Sequence, residues 1–144
     1  MTHEQRYERV IAASPEAVFD AFTSEPGQRA FYGRDEPGWS VETVCDLRAG
    51  GVWAVTFGTP GATYEHRHVF SAVERPHRLA FVTTETGPDG PPFDFDVEIT
   101  FAARDGGCVM TMRQSGFTTA AERDRHGAGV PHAVDRLERL IHHD

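Results

Sequence analysis

His66 and His68 stand two residues apart in Thr63 to Val73, a segment that alternates like a strand. Side chains two apart on a strand point to the same face, so the pair could serve as two metal ligands or handle protons near neutral pH. Glu85 or His126 could approach them, but nothing in the linear order places a third ligand, and a stable zinc site needs three or four. The expectation is a polar pair that lines a cavity or faces water, with no metal and no cofactor. Thr83 and Arg113 are the other polar residues in strand-like runs that could meet a ligand.

Other catalytic patterns are missing. The chain has no nucleophile elbow, no HExxH and no glycine-rich loop between a strand and a helix. Gly50-Gly51 reads as a hairpin turn that needs positive φ. Asp94, Asp96 and Glu98 alternate with apolar residues and form a solvated face. Cys45 and Cys108 lie in separate segments, outside any CxxC or Cys/His spacing, and read as two reduced, mostly buried thiols. No catalytic residue is assigned. What remains is an aromatic set, Phe31, Trp53, Phe57, Phe70, Phe81, Phe93 and Phe95, which could fill a core or line an apolar pocket.

The elements that must position these residues follow from periodicity. Tyr7 to Ile11 reads as a first strand. Ser14-Pro15-Glu16 then caps a helix from Pro15 to Thr23, whose Val18, Phe19 and Phe22 share one face. Pro26-Gly27 reads as a break, followed by a short helix over Gln28 to Tyr32 that ends at Gly33. From Trp39 onward, regular turn signals separate six apolar runs: Ser40 to Asp46, Val52 to Gly58, Thr63 to Val73, Arg78 to Glu85, Phe93 to Ala103 and Cys108 to Gln114. Leu79, Phe81 and Thr83 share one face. Phe93, Phe95, Val97, Ile99 and Phe101 share another. A Thr118-Thr119 cap with Glu122 downstream opens a final helix, whose stripe includes Val130, Ala133, Val134, Leu137 and Ile141. Pro131 predicts a kink or restart near Val130.

Composition narrows the partners. A chain of 144 residues with 39% hydrophobic content fits one domain over residues 1–144. The formal net charge is −8, and all fourteen basic residues are Arg, which argues against a surface that tracks nucleic-acid phosphates. No apolar run approaches the ~20 residues needed to span a bilayer, and Met1 to Arg9 is polar rather than a secretory leader. A cytoplasmic protein with no membrane insertion is expected, with monomer and homodimer both left open.

The order strand, two helices, six strands, long helix resembles the START-like, helix-grip superfamily called SRPBCC. Val10 to Thr23 is similar to its opening signature. Asp46-Leu47-Arg48-Ala49-Gly50-Gly51-Val52-Trp53 resembles the turn motif of one branch, proteins similar to the C-terminal domain of the activator of the ninety-kilodalton heat-shock chaperone's ATPase. Glu74-Arg75-Pro76-His77-Arg78-Leu79, Gln114-Ser115-Gly116-Phe117 and Glu122 to His126 with Gly129 extend the match across nearly the whole chain. The resemblance implies an α+β fold in which a curved antiparallel sheet of about seven strands wraps around a long C-terminal helix. It also implies a cavity between them. The branch usually carries Trp at Phe31, Gly at His68 and Trp at Val130, so the cavity is reshaped here and no relative's ligand transfers.

The resulting expectation is a binding module for an apolar small molecule such as a lipid or polyketide, held by Phe31, Trp53, Phe57, His66, His68, Phe81, Thr83, Phe95 and Val130. One alternative is a cyclase or hydratase with a cavity histidine as general acid or base. The other is a chaperone accessory protein, suggested by the branch name alone.

Overall fold

The computed structural model describes residues 3–143; Met1, Thr2 and Asp144 lie outside them. The order is β1 (His3–Ile11), α1 (Pro15–Thr23), α2 (Glu25–Tyr32), β2 (Ser40–Cys45), β3 (Val52–Thr59), β4 (Ala62–Glu74), β5 (Arg78–Gly87), β6 (Gly90–Arg104), β7 (Gly107–Phe117) and α3 (Ala120–His143). The seven strands form one sheet in the order β1-β7-β6-β5-β4-β3-β2, antiparallel at every pairing. This is the expected α+β helix-grip arrangement.

Local chemistry explains most boundaries. The Ser14 hydroxyl accepts from Ala17 N–H at 3.1 Å, and Pro15 occupies the first turn of α1, where its missing N–H is harmless. The β6–β7 hairpin turns at Asp105-Gly106, with φ of 48° and 81°, the positive pair that suits a two-residue turn between twisted strands. Gly50 takes the anticipated positive φ, 81°. Gly51 is needed for a different reason, because a Cβ there would lie 2.1 Å from the Asp46 carbonyl oxygen.

Two helix expectations need correction. The second helix begins at Glu25, not Gln28, so Pro26-Gly27 sits inside its first turn instead of breaking the chain. Ser24 caps it by accepting from Gly27 N–H at 3.0 Å, and proline is tolerated that early. α3 runs unbroken through Gly127, Gly129 and Pro131 without restarting near Val130. An interior proline costs about 3 kcal/mol. Burial of Val130, Val134 and Leu137, each 6% exposed or less, outweighs it. The start of α3 follows the predicted cap: Glu122 N–H donates to Thr119 Oγ1 at 3.1 Å, and the Glu122 carboxylate accepts from Thr118 N–H at 3.0 Å.

The inner sheet face carries the core, with Ile11, Val55, Leu79, Ile99 and Cys108 fully buried, as is Leu137 on α3. Along β6, Phe95, Val97, Ile99 and Phe101 are buried while Asp94 and Asp96 are exposed, as the alternation required. α3 contacts α1, α2, β1 and β7. Arg9 on β1 fixes it at one side by pairing with Asp135 at 2.7 Å and Glu138 at 2.8 Å. Arg136 fixes it at the other by donating to the Ala30 and Phe31 carbonyls, both at 2.9 Å. The Ala30 carbonyl also accepts from the capping Gly33 N–H at 3.3 Å, so Arg136 reinforces the last turn of α2 that carries Tyr32.

Candidate functional site

The space between α2, α3 and the inner faces of β3 to β7 is a pocket of about 500 Å³. All nine residues named from the sequence line it: Phe31, Trp53, Phe57, His66, His68, Phe81, Thr83, Phe95 and Val130. Exposed Arg34, Glu36 and Arg125 stand on the lining as well. Arg113, named as a residue that could meet a ligand, does not. It points to the opposite face of β7 and pairs with Glu4 at 2.9 Å, because it alternates with the inward Met112 and Gln114. Phe70 and Phe93, from the aromatic set, are packed in and against the core outside the lining.

Sheet register assembles the polar end. His66 lies directly opposite Glu85 in the β4–β5 pairing, and His68 lies opposite Thr83. Trp53 lies opposite His68 on the other side and stacks at a tilt on its ring, with centroids 4.1 Å apart. Cross-strand neighbours of this kind sit close enough for direct side-chain contact. His66 Nε2 is 2.7 Å from Glu85 Oε1, and His68 Nδ1 is 2.7 Å from Thr83 Oγ1. The Tyr32 hydroxyl, brought in from α2, bridges the two rings at 2.9 Å from His66 Nδ1 and 2.9 Å from His68 Nε2.

This chain has a direction. Ionised Glu85 can only accept, so His66 carries its proton on Nε2 and leaves Nδ1 as an acceptor. The Tyr32 hydroxyl then donates to His66 and accepts from His68 Nε2–H. His68 Nδ1 in turn accepts from the Thr83 hydroxyl. Every hydrogen-bonding group along the chain is used once, and both imidazoles are neutral. Their environment agrees: burial pushes both below the ordinary histidine range, against the pull of Glu85 on His66 and reinforced at His68 by His66. Burial alone would raise Glu85, but His126 and His66 outweigh it and hold the carboxyl well below the usual range. Arg125 Nη2 lies 3.1 Å from its Oε2. Burial and the Glu85 charge push the Tyr32 phenol far upward, so it stays protonated.

Tyr32 is absent from the sequence reading, and Glu85 and His126 enter it only as residues that could approach the histidine pair. Glu85 continues the inward face of Leu79, Phe81 and Thr83, and the same period could have marked it as an inner residue. His126 and Tyr32 come from helices far away in sequence, and no local pattern pairs them with β4. The expectation of no metal rested on two same-face histidines alone; the fold adds Glu85 and His126, with candidate ligand atoms of His66, Glu85 and His126 all within 4.8 Å of one another.

A family model described as Activator of Hsp90 ATPase homolog 1-like protein matches residues 12–142. The chain belongs to this family. Among solved structures, it is similar to an uncharacterized protein from Rhizobium leguminosarum, with 17% identity, a TM-score of 0.85, and coverage of 100% of this chain and 97% of that one. Protein CV1439 from Chromobacterium violaceum is 22% identical with a TM-score of 0.81, and 96% of each chain is covered. Ara h 8.0201 is 16% identical with a TM-score of 0.76 over 100% of both. At these identities the likenesses show a shared fold. A comparison with curated proteins finds no match. Among the described residues, no helix of this Activator of Hsp90 ATPase homolog 1-like chain is long and apolar enough to cross a membrane.

Proposed function

We propose that the protein is a single-domain binding module for an apolar small molecule that carries one hydrogen-bonding group, in keeping with the cavity typical of its family. The carrying observation is the pocket's two-sided character. Rings of Trp53, Phe57, Phe81 and Phe95 supply apolar walls, while His66, His68, Tyr32 and Glu85 form a polar patch within them. A pocket of about 500 Å³ falls in the range that accepts metabolite-sized ligands, and few convergent polar groups in an aromatic wall orient such a ligand rather than merely admit it. The two free cysteines, Cys45 and Cys108, suit a cytoplasmic location.

Native mass spectrometry after gentle extraction tests this reading. A mass increment of one small molecule per chain, lost on organic extraction, is the expected result. A ligand-free spectrum together with no stabilisation by any apolar compound would refute it. A second reading, a cyclase or hydratase, draws on the directed Thr83-His68-Tyr32-His66-Glu85 chain, which could hand a proton along its length. Turnover of the extracted ligand, abolished by Tyr32→Phe with binding retained, would distinguish it from simple carriage.

A further inference from the structure

His126 is the feature that the hydrogen-bonded chain does not absorb. Its side chain is only 9% exposed, and Nε2 is the single buried side-chain nitrogen or oxygen without a hydrogen-bond partner among the described residues. The ring is held in place by aromatic neighbours, Phe117 at 5.2 Å and Phe95 at 4.7 Å between centroids. Held there, Nε2 faces Glu85 Oε1 at 3.4 Å, and that same oxygen lies 2.7 Å from His66 Nε2. Two imidazole nitrogens and one carboxylate oxygen therefore converge on one point of the pocket lining.

We propose that His66 Nε2, Glu85 Oε1 and His126 Nε2 form a site for a divalent transition-metal ion of the zinc class, with its fourth position open to the pocket. Bonds of about 2.0–2.1 Å in a tetrahedral site place ligand atoms roughly 3.3 Å apart. The His126–Glu85 separation of 3.4 Å already matches, His66 must move back from its 2.7 Å contact with Glu85, and the three candidate atoms start within 4.8 Å of one another. Two histidines and a carboxylate are a donor set that zinc accepts, and three protein ligands are the number that leaves a position for water or a ligand.

The surrounding groups fit the same role. Arg125 occupies Glu85 Oε2, which leaves Oε1 for the ion. Metal on His66 Nε2 requires the proton to sit on Nδ1. The chain can accommodate this by reversing: His66 Nδ1–H donates to Tyr32, the Tyr32 hydroxyl to His68 Nε2, and His68 Nδ1–H to Thr83. After reversal His66, Tyr32 and His68 remain paired, and the Thr83 hydroxyl becomes an acceptor. A ligating histidine whose other nitrogen donates to a fixed outer partner is the usual support of a metal site. The proposal goes beyond the apolar-ligand reading and stands or falls separately from it.

Chelator-stripped protein titrated with Zn2+ by calorimetry, and with Co2+ by visible absorption, tests the site. The expected result is one ion per chain, with the intense absorption of four-coordinate Co2+ removed by Zn2+. His126→Ala should weaken binding by more than about 100-fold, beyond the roughly 10–100-fold loss typical of outer partners. His132→Ala, an exposed position on the same helix, should leave it unchanged. Zn2+ should also raise the melting temperature of the parent and not of His126→Ala, a comparison that detects a folded variant without a site. Absence of stoichiometric binding, or binding equally strong in folded His126→Ala, would overturn the proposal.

Discussion

Replacing Tyr32 with phenylalanine deletes one oxygen and leaves the ring, whose packing on Phe57 at 4.8 Å and on Phe31 at 5.5 Å is preserved. The oxygen makes two hydrogen bonds, so its loss strands His68 Nε2–H as a donor and His66 Nδ1 as an acceptor, both in side chains that are almost fully buried. An unsatisfied buried group costs about 1–3 kcal/mol, which puts the combined effect at about 2–6 kcal/mol. Pocket water reaching the vacated position would restore part of this, so the lower end of the range is expected. A loss of about 2–3 kcal/mol corresponds to roughly 5–10 °C in melting temperature for a chain of this size. Urea unfolding is the direct assay, with a lowered midpoint at unchanged slope. Thr83→Val removes the next bond along, and the double variant should depart from additivity by about 0.5–3 kcal/mol because both changes act on His68. A Tyr32→Phe loss below about 0.5 kcal/mol, or strict additivity with Thr83→Val, would refute the directed chain.

Two further outcomes concern the scaffold. Leu137→Ala, at a fully buried position on α3, should destabilise by about 2–5 kcal/mol in urea; a change below about half a kcal/mol would mean that the helix does not cover the sheet with this face. Asp20 is held below the ordinary carboxylate range chiefly by its hydrogen bond to Arg75, so the pair stabilises the fold above the unfolded pKa of about 3.9 and loses that contribution as pH falls through the lower folded value. With both side chains more than half exposed, Asp20→Asn should cost only about 0.2–1 kcal/mol at pH 7 and less at pH 2; an equal deficit at both would discount the ion pair.

The fold could be read from the sequence wherever the signal was local. Strand alternation from Phe93 to Phe101, the Ser14 and Thr119 caps and the Asp105-Gly106 turn each depend on neighbours within a few residues. At Pro26 the deciding signal is local, since Ser24 caps α2 and places the proline in its first turn, whereas at Pro131 burial of Val130, Val134 and Leu137 carries α3 on without a restart. Arg113 could have been turned outward by the same period that turns Met112 and Gln114 inward. The site was half legible. The period of two brought His66 and His68 together, but their opposition to Glu85 and Thr83 depends on strand register, and Tyr32 and His126 reach them only through the docking of α2 and α3.

The central claim is that the space bounded by Val130, Trp53, Phe81 and Phe95 receives an apolar molecule. Its most direct test is a fluorescence titration with N-phenyl-1-naphthylamine, run in parallel on the parent and on Val130→Trp. Val130 is 6% exposed and lines the pocket, so an indole there should enter the open space at little cost to folding. The account predicts saturable one-to-one binding by the parent, and stabilisation of about 2.7 kcal/mol at a hundredfold excess over Kd. Val130→Trp should melt as a folded protein and lose that binding at least about tenfold, or about 1.4 kcal/mol. Equal binding by the two proteins, or no saturable binding by the parent, would contradict it.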